Sequence, residues 1–486
     1  MRIWIRTRRA LATAAVLLIA ACSGSGGGDS TSPVTTAPIV SMGTISGFGS
    51  VFVNGVEFST AGANITMDGR SASESELRVG QVVRVSGRMD SDGQHGTATS
   101  IDFDDAVEGP VQSIDAAAGS LVVLGQSVRV DAATSFDHDL QPASLAGLTL
   151  GMIVEVSGFR DAAGVIQATR IEAKDAGEPF EVTGQVANVD TAAKRFEIGA
   201  LVIDYSTAQL DNLPGGAPAN GQIVEVKGQL DANGMLLATR VEGKHEDMEG
   251  DNDDDAEIEG LITRFVSPTD FDVNGQAVTS TPNTRFEHGT SANLALNVRV
   301  EVEGEIVNGV VQAEKIEFQD EADLRVTAAV DSVDATAGTF TVLGITIQTS
   351  AETRFEDKTD AQLRPFNVGS LHTGDFVEVR GTAGTAANSI LARRVERKDV
   401  EQENGQIRIR LSGPAANVAE PQLSILGVTV LSSADTEFAD GGDGTVDAAT
   451  FFSQAAGRLV DATGTLQGST LLARKLEFEG ENEFDD

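Results

Sequence analysis

Three aspartates near the middle of the chain have the most evident chemistry. Asp251, Asp253 and Asp255 stand at alternate positions, as the first three ligands of an EF-hand calcium loop do. The loop pattern then stops, because Ala256 occupies the position that needs glycine and Ile262 the position of the bidentate glutamate. The segment therefore predicts weak, diffuse cation binding by these carboxylates rather than a specific calcium site.

The histidines do not form a metal-binding pattern. A zinc site needs several His or Cys residues at close spacing, whereas the histidines of this chain are scattered: His95, His138, His245, His288 and His372. His138 and His288 share a position two residues after a repeated phenylalanine, which we interpret as a polar loop position. The sequence also lacks a zinc-protease motif, a nucleophile elbow and a phosphate-binding loop. It predicts no catalytic residues, no metal centre and no cofactor.

The start of the chain has the features of an export signal. Met1–Arg9 is basic, and the apolar run Ala10–Ala20 is too short to span a bilayer as a helix. Small residues precede Cys22, the single cysteine, and a Gly/Ser-rich stretch follows it. This arrangement resembles the lipobox of bacterial lipoproteins, which implies cleavage after Ala21 and a thioether-linked lipid on Cys22. An ordinary signal peptide with an incidental cysteine is the alternative.

The lipobox resemblance implies a location in the cell envelope. Ser23, rather than aspartate, follows the cysteine, and by analogy with Gram-negative sorting this favours the outer membrane. No later stretch of the sequence reaches the roughly 18 apolar residues of a membrane span. The lipid is therefore the expected anchor, and we expect contact with the membrane only through it.

The strongly acidic composition limits the partners. The formal net charge is −38, and a polyanion is repelled by nucleic acid and by anionic lipid. Surfaces that bind single strands also need stacking aromatic residues, yet beyond the export signal the chain has no tryptophan and only Tyr205. We expect no nucleic-acid partner.

One short signature recurs along the chain and predicts a repeated module. The signature has five positions: an apolar residue, a polar residue, an apolar residue, any residue and a glycine. Its copies are Val83–Gly87, Val154–Gly158, Val224–Gly228, Val300–Gly304, Val377–Gly381 and a degenerate Val460–Gly464. Another glycine stands seven residues upstream in five copies (Gly80, Gly151, Gly221, Gly374 and Gly457), and Asn297 stands there in the fourth. Glycine and asparagine both tolerate left-handed backbone, which we predict there.

A second signature follows each copy of the first. It begins with alanine and ends in an acid four residues later, as in Ala168–Glu172. Turns such as Asp231–Gly234 separate the two signatures, so each pair predicts a β-hairpin. The alternation in the first signature predicts one apolar and one wet face. The recurrent Glu155, Glu225, Glu301 and Glu378 are interpreted as solvated residues of that wet face.

The first half of each module adds about three strand-like runs, the third ending in Thr-x-Phe in most copies, and then a segment with room for one helical turn. Five strands in about 70 residues can hide one apolar face by closing into a small barrel. The order of elements matches the OB-fold. A small immunoglobulin-like sandwich is the alternative, although it normally needs seven strands and about 100 residues.

These signatures behind a lipobox resemble the domain of unknown function 5666 family of bacterial proteins. The predicted architecture is all-β, with about six tandem five-stranded OB-like barrels arranged as beads on a string. The predicted segments are a signal peptide (1–21), a flexible tether (22–40), modules 1 to 3 (41–105, 106–176 and 177–246), an acidic linker (247–256), modules 4 to 6 (257–322, 323–402 and 403–480) and an acidic tail (481–486).

The family resemblance implies no activity. The sequence favours a non-catalytic envelope lipoprotein whose repeated modules bind an envelope or extracellular ligand, such as a polysaccharide or a protein. A structural spacer or surface-display role is the alternative, and a hydrolase or a specific calcium-binding protein is less favoured.

Overall fold

The computed structural model describes residues 36–116, 118–131, 133–175, 177, 179–244, 250–319, 324–400, 402–403, 406–440 and 445–478. This part of the chain is nearly all β-structure, which confirms the predicted fold class. Within it, no helix has the length and apolar character needed to cross a membrane.

The first three modules contain strands β1 to β20. Module 1 consists of β1 (Ala37–Phe48), β2 (Val51–Val53), β3 (Val56–Ser59), β4 (Asn64–Met67), β5 (Arg70–Ala72), β6 (Val82–Met89) and β7 (His95–Phe103). Module 2 consists of β8 (Val107–Asp115), β9 (Ser120–Val123), β10 (Gln126–Arg129), β11 (Ser135–Phe136), β12 (Ile153–Arg160) and β13 (Ile166–Lys174). Module 3 consists of β14 (Phe180–Gln185), β15 (Ala187–Asp190), β16 (Arg195–Ile198), β17 (Leu201–Asp204), β18 (Gln209–Asp211), β19 (Ile223–Leu230) and β20 (Leu236–Gly243).

The last three modules contain strands β21 to β39. Module 4 consists of β21 (Asp255–Ser267), β22 (Asp270–Val273), β23 (Gln276–Glu287), β24 (Arg299–Val307) and β25 (Val310–Phe318). Module 5 consists of β26 (Leu324–Asp334), β27 (Thr339–Val342), β28 (Ile345–Gln348), β29 (Arg354–Asp357), β30 (Phe376–Ala383) and β31 (Ser389–Arg397). Module 6 consists of β32 (Gln402–Glu403), β33 (Gln406–Ile407), β34 (Ile409–Ala419), β35 (Gln422–Ile425), β36 (Val428–Leu431), β37 (Glu437–Ala439), helix α1 (Ala448–Gln454), β38 (Leu459–Gln467) and β39 (Thr470–Phe478).

Five strands pair in a closed ring in every module. In module 5, β26 pairs with β27 and β30, β27 pairs with β28, and β28 runs parallel to β31, which pairs with β30. Modules 1, 2, 4 and 6 repeat this order. Module 3 closes through a first strand that is interrupted between β14 and β15. The predicted barrels are confirmed, since apolar side chains fill each ring.

The terminal glycine of the first signature lies at a β-bulge between the fourth and fifth strands. In module 2 the pairing passes from Ser157 opposite Arg170 to Gly158 opposite Ala168, so the fifth strand carries one extra residue. A Cβ atom on Gly158 would lie 2.3 Å from the carbonyl oxygen of Gln167. The corresponding distance is 2.0–2.3 Å in all six modules, so only glycine fits this position.

The threonine of Thr-x-Phe is bonded to the alanine of the second signature. The hydroxyls of Thr134, Thr284, Thr353 and Thr436 donate to the carbonyls of Ala168, Ala313, Ala392 and Ala473 at 2.6–2.7 Å. In modules 2, 5 and 6, Thr-x-Phe therefore leads into a second, short strand parallel to the fifth strand (β11, β29 and β37) rather than ending the third strand as the sequence predicted. In module 4 the third strand β23 runs through to Glu287 and ends in Thr-x-Phe as predicted. The two motifs recur together because they are in contact.

The predictions of left-handed backbone and of a helical turn before the fourth strand are confirmed. The five upstream glycines have φ between 80° and 95°, and Asn297 has φ 66°. The predicted helical turn before the fourth strand is a 3-10 turn in modules 1 to 5 (Glu74–Glu76, Leu145–Gly147, Pro214–Gly216, Ser291–Asn293 and Val368–Ser370) and α1 in module 6.

The modules are joined in pairs, and this modifies the beads-on-a-string prediction. The first strands of two modules pair with each other, so that β1 joins β21, β8 joins β14 and β26 joins β34. Three sheets result, each shared by two barrels: modules 1 and 4, 2 and 3, and 5 and 6. The first strands thus form backbone hydrogen bonds to a neighbouring module.

Two predicted flexible segments are shorter than the sequence indicated. Strand β1 begins at Ala37, inside the predicted tether, and buries Ile39 and Val40. Strand β21 begins at Asp255, inside the predicted acidic linker, and buries Ala256. Ile39–Met42 and Asp255–Ile258 are strands because they pair with each other along the shared edge between modules 1 and 4.

We predict that Gly304→Ala destabilises the protein more than Gly309→Ala. At Gly304 the new Cβ would meet the Gln312 carbonyl at 2.2 Å, and such overpacking costs about 2–3 kcal/mol. Gly309 has φ 78° and no atom within 4 Å of the added Cβ, so its cost is the left-handed backbone alone, about 1 kcal/mol. Urea unfolding midpoints of the two full-length variants measure the difference, and equal midpoints would contradict the bulge argument.

Candidate functional site: buried carboxylates between the modules

The recurrent fourth-strand glutamates are buried, contrary to the solvated wet face predicted for them. Glu155, Glu225, Glu301 and Glu378 are only 2–3% exposed. They do point away from the apolar barrel interiors, but the outer faces that carry them are covered by other parts of the protein. The prediction of an apolar inner face was therefore correct. The prediction of a solvated outer face was wrong, because this polar face is buried.

Each of these glutamates lies opposite a second acid. The register pairs Glu155 with Glu172, Glu225 with Glu242, Glu301 with Glu317 and Glu378 with Glu396. The second residue of every pair is the acid that ends the second signature. Like charges directly opposite each other destabilise a sheet, so each pair needs nearby cations or protons.

Module 5 supplies cations to its pair. The Glu378 carboxylate contacts Arg325 and Arg380 at 2.7 Å and Lys398 at 2.8 Å, with Arg394 at 3.6 Å. Burial by itself would raise the pKa of Glu378, but these cations hold the pKa well below its usual value. This glutamate is ionised and fully compensated.

Module 4 has the same acid without that compensation. Its position equivalent to Lys398 is Gln319, whose amide donates to Glu352 at 3.4 Å. Glu301, Glu317 and Glu352 have carboxylate oxygens within 4.8 Å of one another. Burial, and then the charge of Glu352, raise the pKa of Glu301 well above its usual value, although Lys315 opposes this. Burial among these acids therefore disfavours the ionised form of Glu301.

A row of carboxylates crosses the sheet shared by modules 2 and 3. Neighbouring strands place Glu172 opposite Glu155, Glu155 opposite Glu108, and Glu108 opposite Glu181. Lys227 ends the row opposite Glu181. The row exists because β8 and β14 pair, so it depends on contacts between modules.

Two further acids lie close to this row of carboxylates: Asp68, from the turn between β4 and β5, and Asp105. Asp105, in the connection between β7 and β8, is 1% exposed, and its backbone N–H donates to Oδ1 of Asp68 at 3.1 Å. Two groups of carboxylate oxygens lie within 4.8 Å of one another: Asp68, Asp105 and Glu181, and Asp105, Glu108 and Glu155. Asp105 belongs to both groups.

Lysines compensate part of this charge. Lys174 contacts Glu155 at 2.5 Å, Lys227 contacts Glu181 at 2.6 Å, and Lys244 contacts Asp104 at 3.1 Å. Burial nevertheless raises the pKa of Glu155 to about 7 and, with the charge of Glu225, the pKa of Glu181 to about 9. The junction of modules 1, 2 and 3 therefore retains more acid than its lysines neutralise.

Buried basic side chains also link modules through backbone carbonyls. Arg170 donates to the carbonyl of Val79 at 3.0 Å, and Arg364 donates to that of Leu77 at 2.8 Å. Lys358 and Arg394 of module 5 donate to the carbonyls of Phe136 and Thr134 in module 2. These bonds connect all three shared sheets, because they join modules 1, 2 and 5 to one another.

Glu259 is the acid at the centre of one such contact. Its carboxylate accepts from Arg299 at 2.5 Å and from the Thr44 backbone N–H at 2.8 Å, and Arg354 of module 5 lies at 3.7 Å. Burial opposes ionisation, yet Arg299 and Arg354 lower the pKa of Glu259 to about 2. This ionised group joins modules 1, 4 and 5.

The six modules match one family model, described as "Domain of unknown function (DUF5666)". The matched residues are 38–102, 108–172, 182–242, 259–317, 327–396 and 412–477, which together make up more than half of the chain. The chain belongs to the DUF5666 family. A comparison with curated proteins finds no match. The DUF5666 matches confirm the predicted repeats and carry no statement of activity.

The predicted cation-binding aspartates are not assembled into a site. Asp251 and Asp253 are exposed, whereas Asp255 begins β21. The Asp251 backbone N–H donates to Asp254 at 2.9 Å, and none of the four acidic or histidine-containing groups found in the described residues includes these three aspartates. The weak cation binding predicted for them stays a prediction.

The other predicted residues are placed as follows. Cys22 and His245 lie outside the described residues. His138 is flanked by Asp137 and Asp139 and contacts the Gln362 amide at 2.6 Å, whereas His288 contacts Glu317 at 3.3 Å. The two equivalent histidines therefore have different surroundings.

The sequence reasoning missed Asp105, Asp68 and Glu181. None of them belongs to either repeated signature, so the repeat did not single them out. One signal was available: a hairpin made from the two signatures places Glu155 opposite Glu172, an arrangement that a freely solvated face does not favour. That signal indicated compensating groups from elsewhere in the chain.

We predict opposite responses at two equivalent positions. Glu378→Gln leaves Arg325, Arg380 and Lys398 without their shared carboxylate, and breaking a buried ion pair costs about 3–5 kcal/mol. Glu301→Gln puts a neutral isostere where burial and the charge of Glu352 already disfavour the ionised acid, so the stability of this variant at pH 7 should be unchanged or higher. Chemical denaturation of the two full-length variants measures this, and an equal loss in both would contradict the assignment of charge.

We predict that the protein is less stable at pH 8.5 than at pH 6 and that Glu257→Gln reduces this loss. Burial, and then the charge of Glu303, raise the pKa of Glu257 from 4.5 to about 8. Because the folded state binds this proton more tightly than the unfolded state does, the contribution of Glu257 to stability is fully present below pH 4.5, the pKa in the unfolded chain. It is lost as the pH rises through about 8, the pKa in the folded protein. Melting temperatures between pH 6 and 8.5 measure the effect. A parallel pH profile for the variant would show that other groups cause it.

Proposed function

We propose that this DUF5666 protein is a non-catalytic structural protein of the bacterial cell envelope, held at a membrane by a lipid on Cys22. The burial of the recurrent outer faces is the observation that carries the proposal. A protein that presents six equivalent binding surfaces would leave the repeated face exposed. Here the fourth-strand glutamates of four modules are enclosed, so the repeat serves assembly of the protein itself.

The membrane attachment rests on the sequence. The basic start, the short apolar run and the small residues before Cys22 support lipidation, and Ser23 supports sorting to the outer membrane. The Gly/Ser-rich residues 24–28 supply a tether between the lipid and β1. The strongly negative charge keeps the body away from anionic headgroups.

Ligand binding is the second candidate, and a groove in module 6 favours it. This cavity of about 210 Å³ lies beside the bulge of β38 and β39 and is lined by Gln406, Arg408, Ser433, Asp435, Thr463, Gly464, Thr465, Leu472, Ala473 and Arg474. Arginine, hydroxyl and carboxylate groups suit a polyhydroxylated ligand, such as one sugar unit of an envelope polysaccharide. Module 6 would then be the binding module and the other five its support.

Fractionation of cells that express the full chain tests the anchor. Cys22→Ser should move the protein from the membrane to the soluble fraction, because the lipid is the proposed attachment. Ser23→Asp should keep it membrane-bound but shift it to the inner membrane. Membrane retention of the Cys22→Ser protein would refute the lipid anchor.

A binding screen separates the structural role from the ligand-binding role. Envelope polysaccharides are presented to the detergent-purified full chain and to its Arg408→Ala variant. Absence of saturable binding supports the structural role. Saturable binding that Arg408→Ala weakens at least tenfold would replace it with binding by the module 6 groove.

A further inference from the structure

Three carboxylates from three parts of the chain converge at the junction of modules 1, 2 and 3. Asp68 lies in the turn between β4 and β5, Asp105 in the connection between β7 and β8, and Glu181 on β14. One oxygen from each lies within 4.8 Å of the others. Calcium binds oxygen ligands at about 2.3–2.6 Å, so its ligands can be separated by up to about 5 Å. The spacing therefore fits one such ion.

The central carboxylate of this group has no hydrogen-bond partner among the residues that the structure describes. Both side-chain oxygens of Asp105 are buried and accept no hydrogen bond, and Oε1 of Glu181 is in the same condition. Asp105 is 1% exposed, so bulk water does not replace the missing partners. Buried charges in folded proteins are paired or coordinate metals, and one carboxylate oxygen of Asp105 and one of Glu181 lie within 4.8 Å of each other and of Asp68.

The local charge matches a divalent cation. The three carboxylates carry three negative charges when ionised, and Lys227, which contacts Glu181 and the Asp68 carbonyl, neutralises one. The other charged groups that act on the cluster are Glu155 with Lys174, Glu225 with Lys244, Asp104, Glu108 and Arg160. Apart from Arg160, each of these groups is either an acid or a lysine that already contacts an acid. The net charge around the cluster therefore stays negative.

Module 5 shows how the same fold satisfies a buried acid without an ion. Glu378 there contacts Arg325, Arg380 and Lys398 directly. The junction of modules 1, 2 and 3 has no arginine in contact with Asp105 among its described residues. A cation from solution would supply there what arginines supply in module 5.

We propose that Asp68, Asp105 and Glu181 together bind one divalent cation, and that their oxygen-only ligand set favours calcium. The ion links module 1 and its connection to module 2 with β14 of module 3, so its binding stabilises the packing of module 1 on module 3. The site is distinct from Asp251, Asp253 and Asp255, and it does not depend on membrane attachment.

Calorimetric titration with CaCl2 tests the proposal on the full chain, purified in detergent and stripped with EDTA. We expect saturable binding that Asp105→Asn and Glu181→Gln each weaken at least tenfold, while the control Asp251→Asn leaves it unchanged. Because ligand carboxyls must be deprotonated, binding should release protons, seen as a heat that depends on the buffer. Calcium should raise the melting temperature of the wild type and not that of Asp105→Asn.

Two results would overturn the proposal. The first is calcium binding of equal affinity and stoichiometry in the wild type and in both junction variants. The second is no calcium binding, together with a higher melting temperature for Asp105→Asn in EDTA and in calcium alike. That second outcome would show that the carboxylates share protons rather than an ion.

Discussion

The architecture depends on the burial of charged outer faces between barrels. Each barrel hides most of its apolar residues inside its own ring, so much of the surface left for packing is polar, and among the described residues apolar contact between barrels is confined to the neighbours that share a sheet. Removing ionised side chains from water costs several kcal/mol per ion unless partners replace the water. The protein meets this requirement with ion pairs and hydrogen bonds between modules, such as the contact between Arg354 of module 5 and Glu259 of module 4.

These ion pairs and hydrogen bonds also fix which modules meet. A hydrophobic face can pack on any other hydrophobic face, whereas Arg170 needs the Val79 carbonyl and Glu356 at defined positions. An unmatched arrangement would leave these groups buried without partners, which is strongly unfavourable. Six similar barrels can therefore adopt one arrangement, with modules 1 and 4, 2 and 3, and 5 and 6 sharing sheets, because the polar residues between them differ.

A glutamate recurs at the same fourth-strand position in modules 2 to 5, but the side chains that balance its charge differ between these modules. Glu378 has arginines and a lysine, Glu155 has Lys174, and Glu301 lies among other acids, where burial raises its pKa. The conserved geometry comes from the bulge glycine and the Thr-to-Ala bond, which belong to the barrel. The compensating residues differ from module to module, as Lys398 of module 5 and Gln319 of module 4 do, so the pKa values of equivalent glutamates are shifted in opposite directions.

The sequence by itself determined the barrels. Its two signatures gave the strands, the hairpin, the left-handed glycines and the six modules, because these depend on contacts within about 70 residues and on local backbone conformation. It also predicted a lipobox at Cys22 from a linear motif, and this stays a prediction. Only the tertiary structure decided that Glu155 and its equivalents are buried, that β1 pairs with β21, and that Asp68, Asp105 and Glu181 meet. The alternation of apolar and polar residues shows which side of a strand is polar. It is the same whether that polar side is exposed to water or packed against a polar face of another module. The difference lies in contacts between residues that are far apart in the chain.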